Sequence, residues 1–166
     1  MSHSSPASEA VSALFRSRYA RLVGVVALVS GSRAEAEDCV QDAFLKAFDR
    51  WDHVSRLESP EAWVRTVALR LSSNRRRKAR NMFKALTRHG PPRDEPSPEA
   101  DQVDVARALR RVSTGQRQVV VLHYLVGLGV DEIARELRVA PGTVKSRLSR
   151  ARVVLGPLLR EEISHV

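Results

Sequence analysis

The run Arg88-His-Gly-Pro-Pro-Arg-Asp-Glu-Pro-Ser-Pro-Glu-Ala-Asp101 constrains this chain before any other feature. Its prolines each remove a backbone donor and clash with a preceding turn, so no helix continues through it. Its glycine, serine and acids offer too little apolar surface to bury. It is a linker, residues 88–102. As a flexible chain it spans on the order of 20 Å, and at most about 50 Å when stretched. Folding is left to two flanks, 8–87 and 103–160, and cores of fewer than about 80 residues are viable but marginal. Two small modules able to grip separate sites on one larger partner are the expected outcome.

Both flanks read as helix. Val11, Leu14, Phe15, Tyr19, Leu22, Val23 and Val26 recur at spacings of three and four, and Gly31 ends the stripe. Ser32-Arg-Ala-Glu35 matches a capping box, in which hydroxyl and carboxylate each satisfy the other's free backbone donor. The helix it opens has Ala36, Val40, Ala43, Phe44, Ala47 and Trp51 on its core face. Ser59-Pro60-Glu61 starts a third by cap, proline in the first turn and early acid. Trp63, Val67 and Leu71 should face inward there and Leu69 outward, before the helix runs into Arg75-Arg-Arg-Lys78. Beyond the linker a helix is expected over Val103–Val112, another capped at Thr114, and a pair from Val130 onward. No repeat or strand alternation appears, so the fold class is all-α.

Lysines and arginines number 28 against 19 acids, for a net charge of +9. Such an excess favours a polyanionic partner, nucleic acid or anionic lipid. Residues 1–87 carry 15 basic and 9 acidic side chains, residues 88–102 carry 2 and 4, and residues 103–166 carry 11 and 6, so two basic modules flank an acidic joint. No apolar run approaches the roughly 20 residues of a membrane span, and the start lacks the basic-then-apolar pattern of a secretory signal, so a cytoplasmic protein is expected. Cys39 is the only cysteine, which permits no internal disulfide and reads as a small core residue. The five histidines are scattered, and no phosphate loop, nucleophile elbow or metal-spaced cluster occurs. Neither catalysis, nor a metal, nor a cofactor, nor a small-molecule substrate is expected.

The strongest motif is Val130-Asp-Glu-Ile-Ala-Arg-Glu-Leu-Arg-Val-Ala-Pro-Gly-Thr-Val-Lys-Ser-Arg-Leu-Ser-Arg-Ala-Arg-Val-Val-Leu155. Ile133, Ala134 and Leu137 give a first helix its apolar face, and Val139 plugs a turn. Pro141 opens a second helix whose inward positions are Val144, Leu148, Ala151 and Leu155. At 100° per residue, Gly142, Ser146, Ser149 and Arg150 fall on the opposite side, flanked by Thr143 and Lys145. Short polar side chains let such a helix sink into the major groove while arginine and lysine reach base edges and phosphates. This is a helix-turn-helix. Arg138 occupies a turn position where glycine is common, and left-handed backbone there costs about 1–2 kcal/mol, so the turn either carries that strain or is shaped differently.

Gly142-Thr-Val-Lys-Ser-Arg-Leu-Ser-Arg-Ala-Arg152 resembles the promoter-reading helix of the extracytoplasmic-function sigma factors, and Gln116-Arg-Gln-Val-Val-Val-Leu-His-Tyr124 the stretch that precedes it. Ala36-Glu-Asp-Cys-Val-Gln-Asp-Ala-Phe-Leu-Lys-Ala-Phe48 is similar to the segment that docks on the polymerase clamp helices. The resemblance covers about residues 11–157 and both modules in the expected order. It implies a region 2-like domain at 8–87 and a region 4-like domain at 103–160. It implies RNA polymerase core (clamp helices and flap) and promoter DNA, duplex and melted, as partners, with an anti-sigma factor as a further candidate. Upstream-element contacts would fall to Gly142, Thr143, Lys145, Ser146, Arg147, Ser149 and Arg150. Melting of the downstream element would fall to the loop Asp52–Glu58 and the helix Ser59–Lys78, with Arg56, Arg65, Arg70, Arg75, Arg76 and Arg77 along the strand. The sequence departs from the family at Ala68-Leu69-Arg70, where Ala-Arg-Asn is frequent, and at Asn74, where an acid is.

The docking segment has an independent physical reading. Asp38, Gln41, Asp42, Leu45 and Asp49 share its outward face, an apolar anchor inside a charged rim suited to a basic partner helix. Melting requires a cationic groove and surfaces on which bases stack. Trp51 and Trp63 lie on inward stripes and read as core rather than as stacking platforms. A helix-turn-helix activator or repressor acting without polymerase docking would have the same C-terminal module but no need of the acid-rimmed leucine.

Overall fold

In the computed structural model, which describes residues 5–86 and 103–163, Gly31 ends the first helix, α1 (Pro6–Ser30), in left-handed backbone at φ 78°. Its N–H donates to Ala27 O at 2.7 Å, a glycine C-cap where the apolar spacing placed it. The chain divides into two units, one up to Glu95 and one from Pro96. The predicted linker, 88–102, with Asp94, Glu95, Glu99 and Asp101, lies outside the described residues. Every regular element among the described residues is helical.

In the N-terminal unit α1 packs on α2 (Arg33–Asp49) and α4 (Pro60–Leu86), with the single turn α3 (Trp51–Val54) between them. Small residues set the distances. Ala36, Cys39, Ala43 and Ala47 are fully buried on α2, so the flanking helices approach its backbone closely. Leu22, Val23, Val26 and Val29 of α1 and Val64, Ala68 and Leu69 of α4 fill the remaining space. Phe15 stacks on Tyr19 at 4.5 Å and meets Phe44 edge-on at 5.0 Å, closing one end of the core. Arg18 and Glu61 pair at 3.2 Å between α1 and α4. Burial pushes the Cys39 thiol up to about 11, with Arg75 pulling the other way.

Two expectations for α2 change. The helix stops at Asp49, and Trp51 opens α3 instead of extending the α2 stripe. Ser32 caps α2 by accepting from Glu35 N at 3.2 Å, but only this half of the capping box forms. The Ser32 N–H goes to the Ser30 hydroxyl at 3.1 Å, and the Glu35 carboxylate turns to α4.

The largest correction concerns α4. Its buried face is Val64, Arg65, Ala68, Leu69 and Ser72, whereas Trp63, Val67 and Leu71 are half-buried. Leu69, expected outside, is 1% exposed. Apolar residues occupy both stripes, and the buried one also takes in Arg65 and Ser72. Ser72 is admitted because its hydroxyl donates to Glu35 Oε1 at 2.7 Å, which removes the penalty of burying it. The start behaves as predicted, with Ser59 Oγ accepting from Ala62 N at 3.1 Å.

The C-terminal unit is built around α8 (Pro141–Ile163), which receives α5 (Val103–Leu109), α6 (Thr114–Val120) and α7 (Val130–Leu137). Ser113, not Thr114, caps α6. Its hydroxyl accepts from Gln116 N, and the Gln116 side chain accepts from Ser113 N, both at 3.3 Å. The sequence carries hydroxyls at both positions, and the reciprocal glutamine three residues on selects the first. α6 continues into one π-helical turn, Val121–Leu125. His123 Nδ1 donates to Leu128 O at 2.8 Å, and Glu132 accepts from Gly129 N at 2.7 Å, which together fix the entry to α7.

Candidate nucleic-acid interface

The α7–α8 pair has the geometry of a helix-turn-helix. Ile133 and Ala134 are buried on α7, and Val144, Leu148, Ala151 and Leu155 are buried on α8, as their spacing requires. Arg138 adopts φ 55°, ψ 48°, so the turn is left-handed without glycine. Val139 N donates across it to Ala134 O at 3.0 Å, which gives the Ala134 carbonyl in the last turn of α7 a partner.

The opposite face of α8 presents Gly142, Lys145, Ser146, Ser149 and Arg150 to solvent, with Thr143 half-buried beside them. A Cβ added at Gly142 would meet nothing within 4 Å, so the face is open at its first turn. Ser146 donates its hydroxyl hydrogen to Thr143 O at 3.0 Å and so offers its oxygen outward as an acceptor. Arg147 behaves differently. It is half-buried, and its guanidinium leans over α6 so closely that a Cβ at Gly115 would lie 3.1 Å from Cζ.

The cations expected along the N-terminal unit separate into three environments. Arg56, Arg70 and Arg77 are exposed, and Arg77 donates to Asn74 Oδ1 at 3.3 Å. Arg65 is a correction: at 6% exposure it belongs to the buried face of α4 and not to an open groove. Arg75 and Arg76 lie against α2, with Arg75 Nη2 2.6 Å from Asp42 Oδ2 and Arg76 Nε 3.8 Å from Glu35 Oε1. α4 runs eight residues past Lys78, adding exposed Arg80 and Lys84 that sequence reasoning left out. Trp51 and Trp63 are both half-buried, so each keeps part of its ring at the surface.

On α2 the acid-rimmed face forms as its spacing implied. Leu45 is 64% exposed, with Asp38, Gln41 and Asp49 exposed around it and Asp42 half-buried. Gln41 donates to the Tyr19 hydroxyl at 3.2 Å, and Asp42 and Asp38 share Arg75. Phe48, 46% exposed and three residues from Leu45, enlarges the apolar anchor. Its spacing from Leu45 was the available signal, hidden because Phe44 and Ala47 had already accounted for the core.

A second apolar surface was not foreseen. In the C-terminal unit Val105, Leu109, Val120, Leu125 and Leu155 line a groove, with Tyr124 and Arg152 at its edge. Arg152 Nε donates to the Tyr124 hydroxyl at 2.7 Å, and its guanidinium lies 5.8 Å from the ring centre. Tyr124 and Leu125, which end the π-helical turn, both line the groove. Among the described residues no group of histidine, cysteine and carboxylate side chains is arranged to hold a metal, and no helix is long and apolar enough to cross a membrane.

Comparison with known proteins agrees with this layout. Residues 14–82 match the family model for Sigma-70 region 2, and residues 102–155 match that for Sigma-70, region 4. The chain is 34% identical to the ECF RNA polymerase sigma factor SigL of Mycobacterium tuberculosis over 97% of each protein. It is 32% identical to SigM of the same species over 88% of this chain and 75% of SigM. Among solved structures, the sigma factor RpoE of Bartonella quintana, crystallised with the anti-sigma factor NepR, superposes with a TM-score of 0.72 at 27% identity, covering 88% of this chain and 94% of that one. Two sigma-70 regions in order, on two basic helical units, together with relatives matched nearly end to end, establish that the chain belongs to the ECF RNA polymerase sigma factors.

Proposed function

We propose a division of labour within the established role of a sigma factor, which binds RNA polymerase core and promoter DNA and directs promoter-specific initiation. The N-terminal unit docks on the polymerase clamp through Leu45, with Asp38, Gln41, Asp42 and Asp49 as a polar rim and Phe48 as a second apolar contact. The exposed cations Arg56, Arg70 and Arg77, with Arg75 and Arg76 beside them, hold the melted downstream strand by its phosphates. The C-terminal unit reads the upstream element with the outward face of α8: Gly142, Thr143, Lys145, Ser146, Ser149 and Arg150. Arg147 supports that face from its seat on α6. Isolated basic modules bind DNA with a Kd of about 0.1 mM to 1 µM and little sequence choice, so specificity arises when core holds both units on one promoter.

One observation carries this reading: a leucine 64% exposed at the centre of an acidic face on α2, where the core has no use for it. A lone exposed leucine is ordinary, but one ringed by acids, with Phe48 exposed three residues on, has the composition of an interface anchor inside a charged rim. The groove beside Tyr124 and Leu125 supports a contact of the second unit with an apolar helix of the polymerase flap. The crystallised RpoE–NepR pair supports an anti-sigma factor as a further partner.

The test is to titrate core polymerase with the full chain and its Leu45→Lys variant and to assay promoter-specific transcripts. Leu45→Lys should lose at least about tenfold in core affinity, in the range of a central interface anchor. Duplex binding without core-dependent initiation by the unmodified chain would instead favour a conventional activator or repressor.

A further inference from the structure

Glu35, Asp38 and Asp42 form a row on α2 that faces Ser72, Arg75 and Arg76 of α4, and the two ends of that row are built differently. At the inner end Glu35 accepts the buried Ser72 hydroxyl and has Arg76 beside it, with side-chain exposures of only 24% and 18% for the charged pair. At the outer end the two amino groups of the Arg75 fork go separate ways. One lies 2.6 Å from Asp42, the other 3.8 Å from Asp38, with side chains 42%, 44% and 70% exposed. The inner end fixes α4 on α2. The outer end adds an open, solvent-screened ion pair that the packing does not require.

We propose that Arg75 is a removable plug on the acidic docking face: it occupies Asp42 and Asp38 in the free protein, is displaced when polymerase docks, and is thereby released to the melted DNA strand. This rests on the docking role assigned above to the acid-rimmed face. The two carboxylates that a basic partner helix would seek are the ones that Arg75 holds, and one carboxylate cannot make its best contact with both. Arg75 thus shows what chemistry the face takes, a guanidinium bridging two acids. It also couples docking to strand capture, because the same pair must open before its acids can meet polymerase or its guanidinium can reach the strand. The inner contact keeps α4 seated while the plug leaves.

The size of the effect follows from the exposure. An exposed ion pair shifts an open-to-closed equilibrium by about 1.4- to fivefold. Because only the open form docks, removing the plug should tighten binding to core by about two- to sixfold.

The experiment titrates full-length chain with core polymerase at low and high salt for the unmodified protein, Arg75→Gln, Asp42→Asn and the double variant. It then follows promoter opening at saturating core by permanganate reactivity. Arg75→Gln should bind core more tightly at low salt, with the difference shrinking at high salt, and should add less on the Asp42→Asn background, where only the longer Asp38 contact remains to be opened. Opening should nevertheless fall, because the freed cation is missing. Unchanged or weaker core binding by Arg75→Gln would overturn the plug. Tighter binding with undiminished opening would overturn the release to DNA. Arg75→Lys, which reaches only one of the two acids, should lie between Arg75→Gln and the unmodified protein, and provides the same test if the glutamine variant is poorly folded. Leu45→Lys separates the two readings: if it leaves core binding intact, the docking face itself is wrong, whereas its failure to bind beside a neutral Arg75→Gln discards the plug alone.

Discussion

The Glu35 carboxylate accepts the Ser72 hydroxyl at 2.7 Å, joining α2 to α4 at the buried end of a row of polar contacts. Ser72 is 2% exposed, and among the buried polar residues of this unit it lets α4 present the Val64, Ala68 and Leu69 face to the core. Ser72→Ala should cost about 1–2 kcal/mol, the range for losing a buried hydrogen bond to a charged group, offset in part by the methyl group left behind. Both tryptophans of the chain, Trp51 and Trp63, lie in this unit, so denaturant unfolding followed by their fluorescence reports on it alone. An unchanged midpoint would show that the Glu35 contact contributes nothing to the seam.

Arg138 at φ 55° carries a strain that the turn does not need. Glycine there relieves about 1–2 kcal/mol of backbone cost and gives back part of it as unfolded-chain entropy. Arg138→Gly should therefore stabilise the C-terminal unit by about 0.5–1 kcal/mol, measured as a rise in the thermal midpoint of its far-UV ellipticity. Arg138→Ala keeps the strained backbone and should show no such gain, which separates the effect from loss of the cationic side chain.

What the residues reveal in advance depends on whether a position has one local solution or several. Val144, Leu148, Ala151 and Leu155 leave a single apolar stripe on α8, so its outward polar face and its buried side were both legible, whereas Arg138 left two turn shapes open and the structure takes the left-handed one. Gly31 and Ser59 act on their own neighbours and behave as read. α4 offers two overlapping stripes, and the choice between them is made by Glu35, a residue 37 positions away whose own expected partner was Ser32. Arg65 was misplaced for the same reason, since charge argues for solvent until the surrounding helices are known. The groove beside Tyr124 runs along a π-helical turn, whose place the apolar spacing does not mark. Leu45 was found because its excess over the core was visible on one helix, and Phe48 was missed because Phe44 and Ala47 already accounted for the core beside it.

Cys39 ties stability to alkaline pH. Burial raises its thiol from 9.0 to about 11 in the folded chain, so the folded state favours the protonated form. Between those values the unfolded chain releases the proton first. The stabilisation is complete below about pH 9 and is lost as pH rises toward 11, with a slope of at most about 1.4 kcal/mol per unit. The stability difference between the unmodified chain and Cys39→Ala should shrink across this window, and the native thiol should resist a disulfide reagent at pH 8 that labels it fully in denaturant. A difference that stays constant from pH 8 to 11 would remove the linkage.

Arg150 and Arg147 stand three residues apart on α8 and should fail differently. Arg150 is exposed on the outward face, where a guanidinium reaches a base edge, while the Arg147 guanidinium rests over Gly115 of α6. Arg150→Ala should cost about 1–3 kcal/mol at one base pair of the upstream element and little when that base pair is already changed. Arg147→Ala has no such position to lose, so its effect on holoenzyme binding should be the same across promoter variants. Binding measured on a panel of single-base substitutions separates the two patterns. If Arg150→Ala instead weakens every promoter equally, with a salt slope reduced by about one, its partner is a phosphate, and the base-reading part of α8 contracts to Lys145, Ser146 and Ser149.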